Sequence, residues 1–140
     1  MTPGARYRLL PHTADLRVEV RCADFPGLCA ASVETLFSLL TDRRTVRRAA
    51  RRTFSAAGAT REERFHGILR KALLLFALDR FLVRDAGATM ELDVVTVTVT
   101  GEPADPARHA VYREIKAVTA HGLAVSAGPS GWTGRFVLDV

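Results

Sequence analysis

A chain of 140 residues, 48% hydrophobic and 25% charged, has the size and balance of one soluble globular domain over 1–140. Its longest apolar run, Ala72 to Leu78, is too short to span a bilayer, and the N-terminus has no apolar stretch followed by a small-residue cleavage site, so a cytoplasmic protein without membrane attachment is expected. The net charge of +5 is compatible with an RNA-associated partner without establishing one, and among the basic residues only Lys71 and Lys116 are lysines.

In chain order, Leu16 to Cys22 alternates apolar and charged residues and predicts a half-buried strand. Asp24 can cap a following helix with Pro26 in its first turn, and Cys29, Val33, Leu36, Phe37 and Leu40 recur at helical spacing up to an end near Thr41 or Asp42. Between Arg43 and Ala57, Arg43, Arg44, Arg47, Arg48, Arg51 and Arg52 fall in pairs four apart. Like charges at that spacing repel on a helix, so a strand with Val46, Ala50, Phe54 and Ala56 buried is preferred and the arginines read as a solvated face, the alternative being an acidic docking surface or RNA backbone contact. Thr60-Arg61-Glu62-Glu63 is a capping box, and Phe65, Ile68, Leu69, Ala72, Leu73 and Phe76 predict a second helix to about Phe81.

Thr89 to Thr100 is rich in valine and threonine and reads as strand, with a change of phase at Val94-Val95 that a bulge or tight hairpin would absorb. Asp105-Pro106 can open a short third helix with Val111, Ile115 and Val118 inward; extended structure over Ala117 to Val125 competes with it. A terminal strand over Phe136 to Val140 follows a turn-rich stretch from Gly128 to Gly134. The sum is an α+β, two-layer sandwich: two to three helices packed on one face of a mainly antiparallel or mixed sheet. Cys22 and Cys29 are too few and too loosely spaced for a zinc site or disulfide framework and read as buried thiols.

Polar residues in apolar surroundings sit at both ends of the chain: His12-Thr13-Ala14-Asp15, the run Glu114 to His121 that includes Lys116, and Asp139 beside Val140. If the fold joins them, they make a small charged pocket able to hold a hard cation. On the residues alone, Asp15 reads as a turn or capping carboxylate, Asp139 as a chain-end acid, Lys116 as a salt-bridging lysine, and His12, His109 and His121 as hydrogen-bonded structural residues. His66 reads as ordinary surface. No nucleophile elbow or phosphate-binding loop is present, so no self-sufficient active site is expected.

These pieces, in this order, resemble the archease family. The resemblance rests on His12-Thr13-Ala14-Asp15, on Gly101-Glu102 with Asp105 and His109 ahead of Ile115-Lys116-Ala117-Val118-Thr119, on His121, and on the closing Asp139-Val140. It covers essentially the full length. One position departs: the family usually has an aromatic between the threonine and histidine of the lysine motif, where this chain has Ala120. The resemblance implies a non-catalytic cofactor of an RtcB-type RNA ligase, which joins RNA ends using GTP and a divalent metal. The cofactor promotes the ligase's guanylylation and repeated turnover, and touches RNA indirectly through the ligase. It also implies metal ligands at Asp15, Asp139 and the Val140 carboxylate, partner-activating roles for Lys116 and His12, and supporting roles for His121 and Glu114. Two aspartates and a chain terminus are hard oxygen donors, so Ca2+ or another hard divalent cation is expected, and no Cys/His quartet argues for zinc. The alternative is a chaperone-like or RNA-binding modulator of a tRNA-modifying enzyme. A stand-alone metal hydrolase is disfavoured because a third firm ligand is missing from the sequence.

Overall fold

The computed structural model describes residues 4–10 and 15–140. Its elements in order are β1 (Arg6–Leu10), β2 (Leu16–Cys22), α1 (Phe25–Leu40), a 3-10 turn (Arg43–Thr45), β3 (Ala50–Ala57), α2 (Arg61–Asp79), β4 (Phe81–Glu91), β5 (Val94–Pro103), β6 (Ala117–Gly128) and β7 (Gly131–Asp139). The strands form two sheets, β1-β2-β7-β6 and β3-β5-β4, with every pairing antiparallel. The two helices pack against these antiparallel sheets, so the α+β expectation holds. Among the described residues, no helix is long and apolar enough to cross a membrane.

α1 begins where Asp24 accepts the Gly27 amide (2.7 Å), with Pro26 in the first turn where its missing N–H costs nothing. It ends at Thr41, whose hydroxyl donates to the Ala110 carbonyl (2.7 Å). Its buried residues surround the helix and are not confined to one stripe, because it packs on β2, β4 and β7 and on α2. α2 carries the expected stripe. Phe65, Ile68, Leu69, Ala72, Leu73 and Phe76 are all buried, each large side chain worth about 1.5–3 kcal/mol relative to exposure. At its start the Thr60 hydroxyl accepts the Glu63 amide (3.1 Å), while the Glu63 carboxylate reaches one residue further back, to the Ala59 amide (2.9 Å). The helix stops at Arg80, whose left-handed φ of 52° supplies the C-cap.

The phase change at Val94-Val95 is a hairpin. Glu91 pairs with Val94 across Leu92-Asp93, and Leu92 turns the chain with φ 55°. β5 then points Val95, Val97 and Val99 into the core. In the arginine-rich segment only Ala50–Ala57 is strand; the first part is the 3-10 turn, with Val46 buried after it.

The third helix does not form. The Asp105 carboxylate and carbonyl accept the Ala107 and Arg108 amides, but the chain then runs without regular structure to Lys116, tied by the Tyr112 amide to the Leu40 carbonyl (2.8 Å) at the end of α1. Extended structure from Ala117 is what the fold adopts. Cys22 and Cys29 are free and buried, and burial pushes the Cys29 thiol up to about 12. His66 is not plain surface: it is partly buried, and its Nε2 lies 2.8 Å from the Val118 carbonyl, linking α2 to β6.

Candidate functional site

The register of the four-stranded sheet decides where the two ends of the chain lie. β2 pairs with β7 through Leu16↔Leu138 at one end, and β6 pairs with β7 through Ala117↔Asp139. One step beyond Leu16↔Leu138 stand Asp15 and Asp139, on strands whose spacing is about 4.8 Å. On the other side of β7, the Lys116 amide donates to the Asp139 carbonyl (2.7 Å). Asp15, Asp139 and Lys116 therefore occupy neighbouring strand ends at one edge of the sheet. Asp139 and Lys116 are exposed, Asp15 is partly buried, and Val140, next in the chain, is 40% exposed.

The local sequence explains the arrangement. Leu16, Val18 and Val20 on β2 and Phe136 and Leu138 on β7 alternate toward the helices, so the intervening residues face away from them. A slip of one residue would bury Asp139 and expose Leu138, which the core forbids.

His12 is outside the described residues. His121 is in a bulge of β6 between Thr119 and Ala124, its amide bonded to the Thr119 hydroxyl (3.0 Å). That bulge brings Gly122, at φ +77°, against Val137 and the Arg17 guanidinium on the outer face of the sheet. Glu114 lines a cavity of about 490 Å³ with Phe76, Arg80, Val111 and Arg113, beside the end of α2.

Two aspartates offer at most four oxygens, whereas calcium takes about six to eight. No group of three or more Asp, Glu, His or Cys residues able to hold a metal occurs among the described residues. The donor chemistry suits a hard cation whose remaining positions are filled by water or by a partner's oxygens. It does not suit zinc.

A second polar cluster escaped the sequence reading. Glu102, at the end of β5, is buried. It accepts hydrogen bonds from the Arg108 guanidinium, the Arg47 amide (2.7 Å) and His109 Nε2 (3.1 Å). His109 Nδ1 accepts the Asp105 amide (2.8 Å), which leaves the ring proton on Nε2, facing the carboxylate. The Gly101-Glu102, Asp105 and His109 positions thus form a clip that ties β5 to the 46–49 segment and the 105–109 turn. The signal in the sequence was an acid directly after the valine-rich strand, with a histidine seven residues on.

The Arg108 hydrogen bond, helped by those from Arg47 and His109 and opposed by burial, moves the Glu102 carboxyl from its ordinary value of 4.5 to about 2. A depressed folded pKa contributes stability in full above pH 4.5, and that contribution is lost as pH falls toward 2. The stability of the natural chain is therefore expected to fall more steeply over this interval than that of Glu102→Gln. The variant is also expected to lose about 1.5–3 kcal/mol at pH 7. Urea titrations at several pH values measure both quantities, and parallel pH profiles for the two proteins would refute the assignment.

The arginines of the 43–52 segment are mostly engaged within the fold. Arg43 is paired with buried Glu34 (3.4 Å) and bonds the Arg84 carbonyl. Arg44 pairs with Asp42 (3.0 Å) and Arg48 with Asp85. Arg84 in turn reaches the carbonyls of Arg43 (3.1 Å), Arg44 (2.9 Å) and Val46 (3.3 Å). A cavity of about 560 Å³ is lined by Arg44, Arg47, Arg48, Arg84 and Arg108.

With this geometry in place, the chain can be set beside known proteins. A model of the Archease protein family matches residues 7–140. The protein archease of Methanopyrus kandleri is 31% identical over 137 residues, covering 94% of this chain and 96% of that one. The protein archease of Pyrococcus abyssi is 23% identical over 140 residues, covering 96% and 99%. The solution structure of Methanobacterium thermoautotrophicum protein 1598 matches with a TM-score of 0.78 over 98% of this chain and 99% of that chain; at 22% identity this is a likeness of fold.

Proposed function

The chain belongs to the archease family, and from that premise we propose that it is a non-catalytic protein cofactor of an RtcB-type RNA ligase in tRNA splicing and RNA repair. In this reading it promotes guanylylation of the ligase and its multiple turnover, and meets RNA through the ligase.

The reading is supported by one observation above the others: the strand register brings Asp15 beside Asp139, with the Lys116 amide bonded to the Asp139 carbonyl. Residues from opposite ends of the sequence share one exposed edge, outside the core. An acidic pair at such an edge, away from the buried core, suits presentation to a partner. Asp15 and Asp139, with Val140 beside them, would hold a hard divalent cation, Ca2+ first. A bound ion there would supply positive charge for phosphate oxygens. Lys116 supplies a compact, mobile ammonium that can meet a phosphate or a partner's carboxylate. A partner-activating role is proposed for His12 as well.

The test is a ligation assay with the cognate ligase under multiple-turnover conditions. Catalytic amounts of this chain are expected to raise the amount of RNA joined per ligase well beyond one equivalent. A folded chain that leaves turnover unchanged would remove the proposal.

A further inference from the structure

The face of the four-stranded sheet turned away from the helices carries a second feature. Alternation along β1, β2 and β7 puts Arg6, Arg8, Arg17, Arg21 and Arg135 on this face with Glu19 among them, while Asp15 and Asp139 stand at its far end, beyond Arg17. The register is compact: Arg6 stands opposite Arg21, and Arg8 and Arg135 flank Glu19 on either side. Glu19 is only 2% exposed, although it lies on the open face, because the guanidinium groups of Arg8 (3.3 Å), Arg21 (3.3 Å) and Arg135 (3.1 Å) close over it. The three arginines themselves stay more than half exposed. One buried acid thus holds three cations in fixed positions and leaves their outer N–H groups turned to solvent.

Like charges facing each other across a sheet, as Arg6 and Arg21 do, disfavour folding. A face that gathers five arginines against Glu19 in its middle and an acidic pair only at its far end still gains from an anionic ligand. The contrast is with the 43–48 segment, where neighbouring aspartates and glutamates or backbone carbonyls take up Arg43, Arg44 and Arg48.

We propose that this open sheet face binds the phosphodiester backbone of single-stranded RNA directly, through Arg8, Arg17, Arg21 and Arg135, without reading its bases. This adds a direct contact to the ligase-mediated one of the ligase reading and does not depend on that reading. Several observations point to a phosphate backbone. Arginine forks suit phosphate oxygens two at a time. Arg17 and Arg21 are four residues apart on one strand, with Arg8 and Arg135 on either side of the midpoint, so the cations stand about two strand positions, roughly 6.7 Å, from the midpoint along β2. An extended polyanion can follow such a grid.

The face also lacks the apolar centre that a protein partner would need. Its apolar residues, partly buried Leu10 and buried Val137, sit at one end beside Arg17, and Tyr7 and Leu9 alternate to the opposite side of β1. It lacks a stacking platform as well, because Trp132 lies with Cys22 on the helix-facing side, against Phe25. Without stacking, recognition falls on phosphates alone, which makes it tolerant of sequence and steeply dependent on salt.

Fluorescence anisotropy of a labelled oligouridine with the purified chain, across a salt series, tests the proposal. Binding is expected at low salt, with log affinity falling linearly against log salt. The triple variant Arg8→Gln/Arg17→Gln/Arg135→Gln is expected to bind at least tenfold more weakly and to lower the slope by about 2, at roughly 0.7 per phosphate contact. Arg17→Gln alone, outside the three guanidiniums that close over Glu19, is expected to lower the slope by about 0.7 even if the triple variant fails to fold. Arg44→Gln, on the other arginine cluster, should change neither quantity. The proposal is overturned if the natural chain does not bind at low salt, if Arg17→Gln leaves the slope unchanged, or if polyglutamate of equal charge displaces the RNA more effectively than unlabelled oligouridine does.

Discussion

Alanine at Asp15 or at Asp139 is expected to remove stimulation of the ligase while moving the melting temperature by only a few degrees. Asp139 is exposed on the last strand residue, and Asp15 lies just before the first residue of β2, so neither substitution opens a cavity. Surface changes of this kind cost within about 0.5 kcal/mol, and a partly buried carboxylate somewhat more. The functional cost is of another order. Under the proposed reading each aspartate supplies oxygens to one cation. Losing even an outer partner of a metal ligand weakens such sites about 10–100-fold, so losing a ligand is expected to cost at least that much.

Lys116→Ala is expected to behave similarly, by losing the ammonium while keeping the backbone bond to Asp139. Stimulation in the ligation assay and thermal melts of the same preparations separate the two effects. If all three variants stimulate like the natural chain, the edge formed by β2, β6 and β7 is not the activating surface.

The second large effect is expected at Gly101. A Cβ built there falls 1.9 Å from the Leu82 carbonyl oxygen and 2.9 Å from its carbon. The neighbour is backbone of β4, not the tip of a flexible side chain, so it cannot swing aside. Gly101 is also hemmed in from the other strand. It pairs with Ala50 on β3, and its carbonyl accepts the Ala49 amide (3.1 Å). β4 is irregular here, with a bulge between Val83 and Asp85 that brings its chain close to β5.

Gly101→Ala must push the two strands apart, which would also displace Glu102 from Arg108 and His109. A loss of at least about 3 kcal/mol is expected, seen as a fall in melting temperature of roughly 10 °C or more. Gly87→Ala is the internal control. It is on β4, the strand that crowds Gly101, with nothing within 4 Å of the added carbon, and is expected to be near neutral. Equal melting temperatures for the two variants would contradict the close approach.

Where local chemistry and burial agreed, the sequence was readable. The stripe on α2 was legible because all six of its apolar positions face one body of protein, and Thr60 and Asp24 cap their helices as their side chains dictate. β1 was not legible. As an edge strand of five residues it buries almost nothing, and its short alternation, Arg6 to Leu9, is too brief to stand out. The first half of β4 was hidden because Phe81, Leu82 and Val83 are all buried in succession before the bulge, which breaks the two-residue period.

The segment after Asp105 has helical spacing, yet tertiary hydrogen bonds to Leu40 and Thr41 hold it out of a helix. At the site, Asp15, Asp139 and Lys116 were identified by residue type and resemblance, and their adjacency needed the register of three strands. Glu102 was missed as a centre because its partners come from three separate stretches of chain. The arginine-rich segment was read as a solvated face. Arg43 instead lies largely buried, since Glu34 on α1 offers it a carboxylate inside the fold.

α1 has a consequence for how the molecule comes apart. Its apolar surface is shared between strands of both sheets, and its one acid, Glu34, reaches the Ala86 amide (3.1 Å) on β4. Neither sheet can detach without stripping the helix that the other needs. Melting is then all-or-none, with no independently opening half, and the slowest amide protons of β2 and β5 should exchange with solvent at a common free energy, that of the whole chain unravelling.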